Sequence, residues 1–394
     1  MGGIGGYRTW VLRLHDTARG RVVPLELRQP GKLTMYVCGP TVYDVPHIGH
    51  GRLTLVFDVL RRYAEWSGLA VTHVSNVTDI DDKIIARAAE EARPAAEVAS
   101  EQEAAWWGAM DALGVARPTA APHATAYVEA MVGAVAALVG SGAAYPAPDG
   151  VYLEVARVPG YGLLALQPLE SLRAGARVEA AGAKRSPLDF ALWKAAKPGE
   201  PSWPSPWGDG RPGWHTECGV MALDLLGEGF DVHAGGQDLR FPHHENERAQ
   251  AVALSRPFAR HWVHCGMVES GGEKMSKSLG NFTSLPDLLA RTDPRAYRLL
   301  VLQSHYRKPM EVTPGTLADA ARGLGRLDAL ARRFDGAARA ARAARAPVQL
   351  DGGEIAAVPP DPDALSRFVA AMEDDLDTPA AIGLTFELVR RANA

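Results

Sequence analysis

The order of features between Leu33 and Asp79 constrains the fold of this 394-residue chain more than any other stretch. Leu33 to Val37 alternates weakly and closes on Cys38-Gly39-Pro40, the pattern of a strand running into a turn. Pro46 suits a helix start, and Leu53, Val56, Phe57, Leu60 and Tyr63 recur at helical spacing until Ser67-Gly68 ends the run. A second apolar run, Ala70 to Val74, then meets the polar cluster Asn76-Val77-Thr78-Asp79. Strand, loop, helix and a parallel strand delivering polar groups at its carboxyl end open an α/β nucleotide-binding fold.

The chain is longer than one hydrophobic core usually serves, so two or more packed units are expected. Residues 1–121 read as the first half of the nucleotide-binding domain. Residues 122–212, with a helical stretch, a Gly/Pro-broken strand-rich part and the loop Lys197-Pro-Gly-Glu-Pro-Ser-Trp203, read as an insertion that splits it. The sheet resumes over 213–310, with Phe230 to His233 and Phe258 to His264 as returning strands. A helical pattern starts near Asp293 and continues through 311–394. Arg322 to Arg345 sets seven arginines among alanines, which suits either a solvated helical face or an RNA contact.

No apolar stretch is long enough to span a bilayer, so no membrane partner is expected. The N-terminus lacks a basic head followed by an apolar core, so no export signal is read and the cytoplasm is the expected location. Three cysteines, Cys38, Cys218 and Cys265, are too few and too scattered for a disulfide framework, leaving thiol, metal ligand or core filler.

Candidate chemistry begins at His47-Ile48-Gly49-His50. Two imidazoles there share a face at a helix start, and Gly49 lets a planar base or ribose approach the backbone. Their NH groups, with the positive end of the helix, would stabilise charge developing on a triphosphate. About 220 residues later, Lys274-Met275-Ser276-Lys277-Ser278 lies in a Gly-bracketed loop whose two lysines can meet phosphate oxygens as pyrophosphate departs. Cys38, Cys218, His243 and Glu247 form a donor set suited to tetrahedral zinc, with His243 and Glu247 four apart on a helical face. Taken singly, the thiols also suit a buried apolar role, and His243 and Glu247 an exposed helical pair.

The His47 to His50 and Lys274 to Ser278 pair, split by an insertion, resembles the signature of class I aminoacyl-tRNA synthetases. The segments YVCGPTVYD, PHIGH, TDIDDKI, KRSPLDFALWKAAKPGEPSW, PWGDGRPGWHTEC and DLRFPHHENE look like those of cysteinyl-tRNA synthetases, and the likeness runs from about Leu12 to Asn393. The resemblance implies a doubly wound parallel sheet split by a connective insertion and followed by a helical segment that contacts the tRNA stem. It implies one zinc ion on Cys38, Cys218, His243 and Glu247 that binds the substrate thiolate, and magnesium accompanying ATP. By the same resemblance Thr41, Thr78, Trp214 and His233 line a cysteine pocket. Gly39, Gly49, Asp238 and the backbone around Val263 help hold substrate or adenine. ATP, L-cysteine and tRNA(Cys) are the implied partners, and the chain is expected to act as a monomer.

Zinc can separate cysteine from serine where a packed pocket cannot, because a hydroxyl is a much poorer soft-metal ligand than a thiolate. Cys265 reads as packing. The sequence departs from the family pattern at Ala234, Gly219 and Gly51, each small for small. The family continues through a helical bundle and an anticodon-reading extension, whereas this sequence ends at Ala394. A second reading is therefore a ligase passing activated cysteine to a small amine, as in the glucosaminyl-inositol ligases of mycothiol synthesis. Gly39-Pro40-Thr41 and Pro46-His47-Ile48 read as synthetase instead. A third reading, a degenerate binding module, predicts lost catalytic residues, and none is lost.

Overall fold

The computed structural model describes residues 11–165, 183–270, 273–274, 283–345 and 361–393. A hairpin of β1 (Arg13–Asp16) and β2 (Arg21–Pro24) precedes β3 (Lys32–Val37), α1 (Ile48–Trp66) and β4 (Ala70–Val74). Next come α2 (Asp82–Glu91), α3 (Ala95–Ala112) and α4 (Val128–Gly140), then four short strands, β5 (Ala144–Ala147), β6 (Gly150–Leu153), β7 (Phe190–Ala195) and β8 (Gly210–Pro212). The chain returns through α5 (Trp214–Leu226), β9 (Val232–Gly236), α6 (Glu245–Ala253) and β10 (His261–Cys265). The small strands β11 (Val268–Ser270) and β12 (Glu273–Lys274) follow, then α7 (Leu285–Arg291), α8 (Pro294–Leu302) and β13 (Met310–Glu311). Three helices end the described chain: α9 (Pro314–Arg345), α10 (Pro362–Glu373) and α11 (Thr378–Asn393).

The central sheet is parallel throughout, in the order β10-β9-β3-β4. Its winding follows from the side-chain parity of β3. Leu33, Met35 and Val37 enter the core beneath α1 and α3, while Tyr36 and Cys38 face the opposite core, built with Cys218, Met221 and Ala222 of α5. A strand buried on both faces needs apolar residues at both parities, which explains why the alternation in the sequence is weak. From β3 the chain crosses to β4 on one side and reaches β9 on the other, so the sheet order reverses between β3 and β9. A crevice opens there at the carboxyl ends of the strands.

α1 begins where Pro46 predicts, with His47 as its N-cap, and buries Leu55, Val56, Phe57, Leu60 and Tyr63. Gly68, at φ +94°, turns the chain toward β4. The returning strands start later than the apolar runs predict, at Val232 and His261. Phe230 is core, and the Asp231 carboxylate accepts from the Thr34 N–H at 2.7 Å, tying down the strand entrance as a side-chain clasp. Within the insertion, β5 to β8 form an antiparallel sheet with its own core of Val151, Leu153, Phe190, Leu192 and Trp193. Asp82 of α2 pairs with both Lys194 and Arg211 and so fastens this sheet to the start of α2.

The arginine-rich stretch forms most of α9. Arg322 pairs with Asp319, Arg326 lies 4.7 Å over the Phe386 ring, and Arg333 donates to the Asn393 Oδ1 at 3.0 Å. These three make contacts within the chain. Among the described residues no helix is long and apolar enough to cross a membrane.

His73 on β4 is buried, and neither ring nitrogen finds a hydrogen-bond partner among the described residues. Burial first, and the positive charge of Arg61 second, push its pKa down from 6.5 to about 4. Between these values the unfolded chain binds a proton that the folded chain refuses, so stability falls as pH falls through this window. His73→Leu is expected to flatten that dependence by about one proton, about 1.4 kcal/mol per pH unit. Denaturant titrations between pH 6.5 and 4 check this, and superimposable slopes for variant and parent would count against it.

Candidate active site

A cavity of about 330 Å³ opens at the carboxyl ends of β3 and β9, lined among others by His47, Gly49, His50, Trp106, Asp238 and Met267. Its floor is the first turn of α1, where the two histidines cap the helix reciprocally. The His50 N–H donates to His47 Nδ1 at 3.3 Å and the His47 N–H donates to His50 Nδ1 at 3.2 Å. Their rings stack with centroids 3.6 Å apart, and Trp106 meets His50 edge-on at 5.3 Å. This geometry fixes the tautomers. A neutral imidazole whose Nδ1 accepts must carry its proton on Nε2, so each ring offers Nε2–H as a donor. Burial first, then the charges of His47 and Lys83, hold His50 well below the usual histidine pKa, which keeps it in that neutral form.

Gly49 has a packing reason beyond access to a base: a Cβ there would sit 2.9 Å from the His47 ring and break the stack. Gly39 is similarly forced, since a Cβ would lie 1.8 Å from the Asn76 carbonyl oxygen. Its N–H donates to Asn76 Oδ1 at 2.9 Å, so what Gly39 offers a ligand is its bare face. Thr41 and Trp214 line the cavity. Thr78 lies behind Thr41, bridged to it as a parallel pair, accepting from Asn76 Nδ2 at 3.0 Å and donating to the buried Glu217 at 2.9 Å. Val263 is core within β10, and the cavity wall beyond it is built from Cys265, Gly266, Met267 and Val268. Cys265 is buried with its thiol pushed up to about 11, mainly by burial, as suits packing. Lys274 ends β12; Met275, Ser276, Lys277 and Ser278 lie outside the described residues.

Below the cavity, Cys38, Cys218, His243 and Glu247 converge, their donor atoms all within 4.8 Å of one another. All four are buried. His243 Nε2 lies 3.1 Å from Glu247 Oε1, and Cys38 Sγ lies 3.7 Å from the same oxygen. Glu247 Oε2 accepts no hydrogen bond among the described residues, although His233 Nε2 approaches to 3.1 Å. Burial, then Cys218 and Glu247, push the Cys38 thiol well above its usual pKa. Burial likewise raises Glu247 and lowers His243. Two thiols, a carboxyl group and an imidazole forced together out of water become a good donor set once a cation supplies the missing positive charge. The residues present therefore fit a bound metal of zinc's preferences.

A second grouping, Cys38, His233, His244 and Glu247, is equally close-set but shares two members with the first, so only one can be filled. His244 is already held at both ring nitrogens, by His264 Nε2 at 2.8 Å and by Cys38 Sγ at 3.3 Å, and His264 in turn meets Thr17 Oγ1 at 2.7 Å. In the first grouping, His243 Nδ1 meets His215 Nδ1 at 2.9 Å, an outer contact that leaves Nε2 aimed at Glu247. Trp214 stacks on His243 with ring centroids 4.1 Å apart, and Trp214 and Cys38 both line the cavity, so the cluster adjoins it directly. His215, His244, His264, Asn76, Glu217 and Trp106 carry much of this geometry, and none was assigned from sequence. The adjacent pair His243-His244 and the His215 of WHTEC were the available signals.

The fold is similar to those of solved synthetases. The fold is similar to Mycobacterium tuberculosis methionyl-tRNA synthetase in complex with methionyl-adenylate, with a TM-score of 0.66 at 16% identity, covering 92% of this chain and 82% of that one. It is likewise similar to the LeuRS of a ternary complex from Agrobacterium radiobacter K84, with a TM-score of 0.66 at 12% identity, covering 93% and 81%. These likenesses define a class I synthetase fold.

Sequence relationships narrow the class. Residues 24–322 match the family described as tRNA synthetases class I (C) catalytic domain, and residues 367–394 match the DALR domain. The chain is 47% identical over 384 residues to the cysteine–tRNA ligase of Chromohalobacter salexigens, covering 97% of this chain and 79% of that protein. It is 46% identical over 391 residues to that of Moorella thermoacetica, covering 97% and 80%. The chain belongs to the cysteine branch of the class I tRNA synthetases.

Proposed function

We infer that the protein uses ATP to activate L-cysteine and passes the cysteinyl group to tRNA(Cys). The observation that carries this reading is the buried Cys38, Cys218, His243 and Glu247 cluster beneath a cavity floored by His47 and His50. A carboxylate oxygen of cysteine attacks the α-phosphorus of ATP, the bond from that phosphorus to the bridging oxygen breaks, and pyrophosphate leaves; magnesium bound with ATP would neutralise part of its charge. A hydroxyl of the terminal adenosine of tRNA then attacks the activated carbonyl and AMP departs.

The chain's own residues supply position and charge. The Nε2–H groups of His47 and His50 donate to phosphate oxygens, and Lys274 and Lys277 balance the departing pyrophosphate. Thr41, Thr78, Trp214 and His233 surround the cysteine, while Gly39, Gly49, Asp238 and the chain after Val263 flank the nucleotide. Cys38, Cys218, His243 and Glu247 would hold zinc, which would supply a soft-metal site that prefers the substrate's thiolate to a hydroxyl. The reading places a monomeric enzyme in the cytoplasm.

The small-amine alternative is not favoured, since the relatives above are cysteine–tRNA ligases. Offering the cysteinyl-adenylate complex either tRNA(Cys) or glucosaminyl-inositol tests the acceptor directly. Cysteinyl-tRNA should form and the sugar amine stay free; transfer to the sugar alone would overturn the tRNA reading.

A further inference from the structure

Arg52 follows His50 by two residues on α1, and its side chain is one of the largest that is fully buried. Among the described residues its five acceptors are all main-chain carbonyls. Nη1 donates to Gly266 at 3.0 Å and Met267 at 2.7 Å, and Nη2 donates to His305 at 3.2 Å, Tyr306 at 3.3 Å and Lys308. Nε has no partner among the described residues. Burying a guanidinium with no ion-pair contact among the described residues is costly, and lysine could not span two chain segments as this planar fork does.

Those two segments are pressed together. The Gly266 N–H donates to the Tyr306 carbonyl at 2.8 Å, and a Cβ on Gly266 would lie 2.6 Å from the Lys308 oxygen. Gly266 and Met267 also form the cavity wall facing His47 and His50. A neighbouring tie fixes the other member: Tyr297 Oη donates to the Ile48 carbonyl at 2.6 Å, in the first turn of α1. One guanidinium thus joins the helix that presents the two histidines to the main chain that walls the nucleotide cavity.

We propose that Arg52 is a positioning residue for adenylate formation, setting the offset between the Gly266–Met267 wall and the Nε2–H donors of His47 and His50. It touches no substrate itself. Displacing the wall by a fraction of an ångström leaves the thiol-binding cluster in place but moves the adenine side of ATP relative to the groups that meet its α-phosphate. The inference rests on the adenylation reading above.

The test uses the full chain loaded with cobalt in place of zinc, so that cysteine binding is read from the thiolate-to-cobalt absorption and ATP use from pyrophosphate exchange. Arg52→Lys keeps the charge and loses the fork. It is expected to fold, as judged by its melting transition, and to give the parent's cobalt spectrum on cysteine addition, while kcat/KM for ATP falls about a hundredfold. Gly266→Ala, which pushes on the same wall with Arg52 intact, is expected to reproduce the loss confined to ATP. Parental exchange in both variants, or cysteine and ATP readouts falling together with the melting temperature, would overturn the proposal and leave Arg52 a scaffold residue. Absence of exchange in the parent would instead strike the adenylation reading, so the two failures are distinguishable.

Discussion

Replacing Cys218 with serine is expected to reduce the preference for cysteine over serine in pyrophosphate exchange by about a thousandfold, while the KM for ATP stays nearly constant. Cysteine and serine are almost isosteric, so a packed apolar pocket separates them only weakly, by about tenfold to two hundredfold. A site that binds the thiolate itself rejects a ligand lacking it far more strongly, by about 10⁴ to 10⁵. Cys218 projects from α5 into the same buried core as Cys38, and the hydroxyl of the variant is a poor soft-metal donor in that place. The Cys218 thiol donates to Asn76 Oδ1 at 3.5 Å, which leaves the sulfur lone pairs directed at the cluster free to serve as a metal donor. The proposed nucleotide-binding residues His47, His50 and Asp238 line the cavity and are not altered by the substitution. Parallel exchange assays with both amino acids decide the matter: an unchanged ratio would remove the thiolate-binding cluster from the account.

The second large effect belongs to His50. His50→Ala removes one Nε2–H donor and the reciprocal cap with His47. Loss of a preorganised donor to developing negative charge costs about 10² to 10³ in kcat. Loss of the cap costs about 1 kcal/mol of stability, too little to unfold the protein. The expected result is a kcat for exchange lower by two to three orders of magnitude, on the order of that donor's loss, with cysteine binding to the metal-loaded protein retained. His47→Ala should behave alike. The double variant should be little worse than either single one, because the two rings orient each other and act as a unit. Full additivity would contradict this coupling.

The parallel sheet was legible because β3, α1 and β4 announce themselves by turn chemistry and apolar spacing within one short stretch. The reciprocal histidine cap is also local. What escaped sequence reading depends on contacts across the chain. His264 meets Thr17 over a separation of 247 residues, and Arg52 meets Lys308 over 256. A lone arginine on an amphipathic helix reads as solvated until the fold presents the carbonyls that surround it. Strand entrances were misjudged for a related reason: Phe230 and Phe258 are apolar because they pack beside His233, not because they pair in the sheet. Val263 illustrates the same limit, lying in the core two residues before the chain that walls the cavity.

The most direct test of the central claim is cysteine-dependent exchange of pyrophosphate into ATP by the intact zinc-loaded protein, with serine at equal concentration as control. Rapid exchange with cysteine and essentially none with serine is the predicted result. Equal rates with both amino acids, or exchange that survives complete removal of the metal, would contradict selection of the substrate by a thiolate on the Cys38, Cys218, His243 and Glu247 site.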